Sequence, residues 1–180
     1  MSKVLVLLAN GFEEIEALSV VDVLRRANIE VVMAAIDKKQ VTGAHNVKVQ
    51  ADMHILDVKN SDFDMVVLPG GLPGATNLEK DENVQKLLKD FDHDNKAIGA
   101  ICAAPIALQR AGVLKKTYTC YPSFENNIRQ EGYLSDQDVV NDENVTTSRG
   151  PATAMKFGLA LVEKLAGPDV ALDVKNQLLL

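Results

Sequence analysis

The chain has 180 residues, a length that fits one compact domain. Apolar residues make up 47%, Trp is absent and aromatics are 4%. The core must therefore be built from Val, Ile, Leu and Ala, which suits a buried parallel sheet. A formal charge of −6, from 19 basic and 25 acidic residues, argues against general nucleic-acid binding, which needs clustered Lys and Arg.

The elements alternate along the chain. Residues 3–9 read as a buried strand, 14–27 as a helix and 29–36 as the next strand. Residues 45–57 read as a hairpin or edge excursion. Residues 64–68 form a strand that stops at Pro69-Gly70-Gly71. Helical spacing of Leu87, Leu88 and Phe91 predicts a helix over 83–92. Residues 97–101 are a strand running into Cys102, and a helix follows over 105–111. Residues 117–147 read as short strands and turns. A helix over 151–166 opens with Pro151 and stops at Gly167-Pro168, and a short helix covers 169–175.

This alternation predicts an α/β three-layer sandwich, a mostly parallel central sheet with helices on both faces. No linker or repeat interrupts 1–180, which are expected to form a single domain. The apolar run 4–9 is too short for a signal-peptide core, and nothing approaches a membrane span. Two cysteines, Cys102 and Cys120, make a disulfide framework unexpected, and a reduced, cytoplasmic location is the expectation. No pair of His45, His54 and His93 has metal-ligand spacing, and no Cys-x-x-Cys occurs, so no structural metal is expected.

Ligands in such sheets bind beyond the carboxyl ends of the strands. Cys102 lies at one of these, in Gly99-Ala100-Ile101-Cys102-Ala103-Ala104-Pro105. Small residues on both sides let a strand turn sharply into a helix and present a nucleophile, as at an elbow. The helix N-terminus behind the thiol is expected to lower its pKa. Cys120 has no helix start behind it and reads as a small core residue.

The cluster Glu13-Glu14-Ile15-Glu16 opens the first helix. Acids in a first turn complement the helix dipole, but helical phase separates these three. Ser19, Asp22, Arg25 and Arg26 mark the solvent side. Glu16 falls on the stripe of Val20, Val23 and Ala27 and is predicted to point inward. A buried carboxyl without a cation tends to stay protonated and can move a proton. Glu14 lies to one side, and Glu13 sits at or before the helix start.

Two further strand ends carry candidates. In Pro69-Gly70-Gly71-Leu72-Pro73-Gly74, the glycines permit either a plain turn or backbone N–H groups lining an anion pocket. No phosphate-loop fingerprint occurs in the chain. In Thr147-Ser148-Arg149-Gly150-Pro151, Arg149 either binds a carboxylate or caps surface charge.

Taken together, Asn10-Gly11-Phe12-Glu13-Glu14-Ile15-Glu16, Val66-Val67-Leu68-Pro69-Gly70-Gly71, Ala100-Ile101-Cys102-Ala103-Ala104-Pro105 and Thr147-Ser148-Arg149-Gly150-Pro151 resemble the ThiJ/PfpI superfamily, the family of the human parkinsonism-associated deglycase. The chain looks closest to its bacterial YajL-like branch. The resemblance implies a flavodoxin-like fold, usually a homodimer, with the first helix including Arg26 at the dimer contact. It implies Cys102 as the reactive thiol and Glu16 as a protonated acid bonded to it. The backbone amides of Gly71 and Ala103 would form an anion pocket, with Glu13 shaping the site.

There are departures from the family pattern. The proteolytic branch has His directly after the Cys, where this chain has Ala103. The human-type branch has His where this chain has Tyr121, and Arg where this chain has His45. Ala104 stands where Gly is frequent. The resemblance implies cofactor-free, Cys-dependent removal of reactive α-oxoaldehydes, as a glyoxalase or as a deglycase acting on glycated amines and thiols. The alternative is an oxidation sensor or redox-regulated chaperone using the same Cys. A peptidase is disfavoured by Ala103 and Tyr121.

Overall fold

The first apolar run becomes a central strand because both of its faces are covered. Val4, Val6 and Leu8 pack into one core layer, and Leu5, Leu7 and Ala9 into the other. This is the period-two alternation of a strand buried on both sides. The structure, a computed structural model, describes residues 2–180.

The strands are β1 (Lys3–Leu8), β2 (Glu30–Ala35), β3 (Gln40–Thr42), β4 (Lys48–Gln50), β5 (Met53–His54), β6 (Met65–Leu68), β7 (Ala97–Ile101), β8 (Val139–Asp142) and β9 (Val145–Ser148). The α-helices are α1 (Glu14–Arg26), α2 (Gly74–Lys80), α3 (Glu82–His93), α4 (Pro105–Ala111), α5 (Ala154–Ala166) and α6 (Pro168–Gln177). A seven-stranded sheet runs in the order β5-β2-β1-β6-β7-β9-β8, and β3 and β4 form a separate antiparallel hairpin. Every pairing in the large sheet is parallel except β8 with β9. Helices α1 and α5 cover one face, with α6 packed on α5, while α2, α3 and α4 cover the other. This is the α/β sandwich that the alternation predicts, in the flavodoxin-like form that the resemblance implies.

The order places β1 at a switch point. The chain passes from β1 to β2 on one side and then returns to β6 on the other. Connections leaving in opposite directions open a crevice at the carboxyl ends of β1 and β6. Cys102 follows β7, the next strand along.

The structure corrects three boundaries. The stretch after Gly71 is a turn only as far as Pro73, and helix α2 then begins at Gly74. This helix has no side-chain cap, and tertiary contact holds it: a Cβ at Gly74 would lie 2.6 Å from the Phe12 nitrogen. Its start packs so tightly on the Gly11 loop that glycine reads locally as a breaker. The hairpin begins at Gln40, before the stretch assigned to it, because β3 and β4 pair from Gln40↔Gln50 to Thr42↔Lys48. The Pro151 helix opens as a 3-10 turn over Pro151–Thr153 before α5. Among the described residues no helix is long and apolar enough to cross a membrane.

Helix α5 meets α1 at Gly158, where an added Cβ would lie 3.0 Å from Val23 Cβ. Gly158→Val is expected to lower stability by about 1–3 kcal/mol through overpacking. Gly158→Ala should cost less, because helix propensity offsets the clash by about 1 kcal/mol. Urea denaturation of the two variants checks the order; equal stability of Gly158→Val and wild type would show that the contact is not limiting.

Candidate active site

Cys102 lies between β7 and α4 with φ +64°, a left-handed backbone unusual for a residue carrying a side chain. Such a conformation costs roughly 1–3 kcal/mol and persists only where its surroundings fix it. Here both of its backbone polar groups are held. Its N–H donates to the Ser148 carbonyl at 2.9 Å, and its carbonyl accepts from Tyr121 N–H at 2.9 Å. Ala103 and Ala104 are buried in the same turn. The residue is only 8% exposed.

Glu16 reaches the thiol from α1. Glu13 is the N-cap of that helix, and its Oε2 accepts from the Glu16 N–H at 2.8 Å. The first turn is thereby fixed, and the Glu16 side chain projects inward and is fully buried, on the side that helical phase selects. Its Oε2 accepts from Gly70 N–H at 2.7 Å. Its Oε1 is buried without a fixed hydrogen-bond partner, and the Cys102 thiol is the side chain that interacts with this carboxyl.

Gly70 makes the approach possible. A Cβ there would lie 2.6 Å from Cys102 Cβ and 2.7 Å from Glu16 Oε2. Gly71 follows with φ +85°, and its N–H, together with that of Ala103, hydrogen-bonds the Cys102 sulfur. The structure thus brings together Cys102, Glu16, Gly70, Gly71, Ala103 and Glu13.

Burial raises the Glu16 pKa from 4.5 to about 7, against the pull of its bonds to Cys102 and Gly70. Burial also pushes the Cys102 thiol well above its ordinary value, and the Glu16 carboxylate adds to the push. This corrects the expectation of a thiol acidified by a helix N-terminus. The Gly71 and Ala103 amides do pull the thiol down, but burial and the neighbouring acid outweigh them. The two groups form one coupled pair holding a proton between them. Moving that proton onto Glu16 replaces the repelling carboxylate with a hydrogen-bond donor toward the sulfur.

Glu14 turns out to be buried, not merely set to one side. Its Oε1 accepts from His45 N–H at 2.7 Å and its Oε2 meets His45 Nδ1 at 2.8 Å, clamping the β3–β4 hairpin to α1. His45, uninformative by sequence position, gains a partner through this hairpin, and hydrogen bonding to Glu14 raises its pKa. Ligand atoms of Glu13, Glu14 and His45 lie within 4.8 Å of one another, a spacing that could hold a cation. The hydrogen bonds already made by both carboxylates explain the cluster as a clamp.

Tyr121 and Arg149 stand on the flank of the elbow, in the segments that hydrogen-bond the Cys102 backbone, and both line one cleft. Tyr121 is 47% exposed, and Arg149 is half-buried. Arg26 is exposed and pairs with Asp22 at 2.6 Å, away from the thiol. Cys120 is fully buried, and burial pushes its thiol up to about 12.

The model of the DJ-1/PfpI family matches residues 2–164. The Drosophila melanogaster protein dj-1beta is 40% identical over 99% of this chain and 98% of its own length. Its crystal structure superposes with a TM-score of 0.95 over 100% of this chain and 99% of that one. Protein DJ-1 homolog B of Arabidopsis thaliana is 38% identical over 99% of this chain, which spans only 41% of that longer protein. A Caenorhabditis elegans relative named glutathione-independent glyoxalase DJR-1.2 is 37% identical over 87% of this chain and 84% of its own.

A folded-state pKa of about 7 lies above the ordinary 4.5 of Glu16. Its stabilising contribution is therefore full below the ordinary carboxylate range and is lost as pH rises through about 7. From about pH 5 to about pH 8 the stability advantage of wild type over Glu16→Gln should shrink by about 2–3 kcal/mol. Urea titrations of both proteins across that range test this. Parallel stability curves would show that Glu16 does not carry the shift.

Proposed function

The chain belongs to the DJ-1/PfpI family, and from that premise we propose that it is a cofactor-free thiol enzyme converting α-oxoaldehydes to 2-hydroxy acids. The observation that carries this reading is the buried contact of Cys102 with Glu16, with two backbone amides on the sulfur. The naming of the C. elegans relative as a glyoxalase supports it.

The chemistry uses one thiol and one acid. With the pair's proton on Glu16, the Cys102 thiolate adds to the aldehyde carbon. The C–S bond forms, the carbonyl π bond breaks, and the oxygen takes the proton, giving a hemithioacetal. Glu16, now a carboxylate, removes the proton from that carbon to give an enediol and returns it to the neighbouring carbon, while the hydroxyl proton on the first oxygen passes to the second. The result is the thioester of a 2-hydroxy acid. Water hydrolyses it to the acid and frees the thiol. The sum is oxoaldehyde plus water to hydroxy acid, an internal redox change with no external oxidant. The Gly71 and Ala103 amides would stabilise oxygen charge that develops next to the sulfur. Glycated amines and thiols would share the first attack, so a deglycase activity belongs to the same site.

Purified protein is expected to convert methylglyoxal to lactate in buffer free of amines and thiols. Cys102→Ser should abolish this, and Glu16→Gln should slow it roughly 100-fold or more. Full activity of the Cys102→Ser variant would sink the mechanism. Selective oxidation of Cys102 by peroxide without aldehyde turnover would favour a redox sensor, a role the same amide-lined pocket suits.

We further propose a homodimer built on α1. That helix exposes Ile15 (56%) and Leu18 (38%) beside Asp22 and Arg26, an apolar strip left uncovered in one chain. Sedimentation velocity should give a dimer for wild type and a monomer for the Ile15→Asp/Leu18→Asp variant. A monomeric wild type would contradict this.

A further inference from the structure

Arg149 is a cation without a partner. Its Nε is buried and has no hydrogen bond. Among the described residues the side chain is in no ion pair, and the nearby Asp138 is taken by Lys156 at 2.6 Å. Glu125, whose charge acts on Tyr133 in the direction opposite to that of Arg149, also keeps a buried oxygen without a partner. The two groups do not pair with each other. A buried N–H donor without an acceptor is unfavourable, and native structures seldom leave one so.

The place of this cation in the fold gives it a use. Arg149 lines a cleft of about 340 Å³ together with Tyr121, Pro122, Gly150, Pro151 and Asp138, whose carboxylate is held by Lys156. The cleft adjoins the backbone that holds Cys102: Tyr121, which lines it, donates its N–H to the Cys102 carbonyl, and Ser148, which precedes Arg149, accepts from the Cys102 N–H. Ile101 and Ser148 are register partners of β7 and β9. Cys102 and Arg149 are the residues that directly follow this last register pair. A guanidinium presents a planar fork of donors matched to a carboxylate.

We propose that Arg149 binds a substrate carboxylate, and that the favoured α-oxoaldehydes are those that carry such a group beyond the ketone. The substrate class rests on the oxoaldehyde reading above; the carboxylate site does not. Methylglyoxal then serves as a minimal substrate that leaves the guanidinium empty.

Two measurements test the assignment. The first needs no turnover. The full-length Cys102→Ser protein is titrated with 4-oxopentanoate and with the neutral ketone 2-pentanone. The anion should bind roughly tenfold more tightly, and Arg149→Gln in that background should remove the difference. Equal binding of the two ligands, or a preference that survives the substitution, overturns the proposal. The second compares kcat/KM for 4,5-dioxopentanoate with that for methylglyoxal. The ratio should fall roughly tenfold in Arg149→Gln and recover in part in Arg149→Lys, which keeps the charge but loses the fork. An equal fall for both substrates marks a structural role and also overturns it. Turnover of neither aldehyde by wild type would refute the proposed reaction, and the ligand titration would still decide the carboxylate site.

Discussion

The site depends on one constraint: a carboxyl group and a thiol share a pocket from which water is excluded. Each group, ionised alone, would be costly to bury. Placed together with one proton, they relieve each other. Glu16 is fully buried, and its second oxygen has no claim on it except the Cys102 thiol. The surrounding structure keeps this pair close and dry. Gly70 removes the side chain that would separate them, and its N–H fixes one carboxyl oxygen. Glu13 caps the helix from which Glu16 projects.

Such a pair needs convergence from elements far apart in sequence. Helix α1 follows β1, the glycines follow β6, and the elbow follows β7. These three strands are adjacent and parallel, so their carboxyl ends open on one edge. The strained backbone at Cys102 is tolerable because its two polar groups are anchored on either flank, by Ser148 and Tyr121. Those flanking segments belong to β9 and to the loop before β8. The far side of the sheet thus serves the thiol through the main chain, while the near side serves it through a side chain.

Which of these features could be read from the residues alone follows from the range of the forces involved. Glu16 was legible because the apolar stripe of α1 is local, and a carboxyl on that stripe has nowhere to go but inward. Cys102 was legible because Gly99, Ala100, Ala103 and Ala104 leave room for a sharp turn. The large sheet followed from β-branched runs alternating with helical periods. By contrast, α2 begins on a glycine and holds through contact with the Gly11 loop, which no local preference reports. The clamp of Glu14 on His45 spans 31 residues and exists only once the β3–β4 hairpin folds over α1. The thiol's shift runs against the sequence expectation for the same reason. The helix N-terminus is a local effect, whereas burial and the Glu16 carboxylate are tertiary and larger.

The absence of a histidine beside the thiol is then consistent with the rest of the site. A Cys–His pair generates thiolate by storing the proton on a base of ordinary pKa. Here the storing group is a carboxyl, whose ordinary pKa of 4.5 would leave it ionised and the thiol locked in its protonated form. Burial carries Glu16 to about 7 but raises the thiol as well, so it is the Gly71 and Ala103 amides that pull toward the thiolate. At neutral pH the acid can then hold a proton and also release one, which a single group must do if it serves both the addition and the transfer between adjacent carbons. Solvating Glu16 would return it to the carboxylate range and remove the proton that the addition requires. The dry pocket, the glycine that closes it and the missing histidine are therefore aspects of one arrangement.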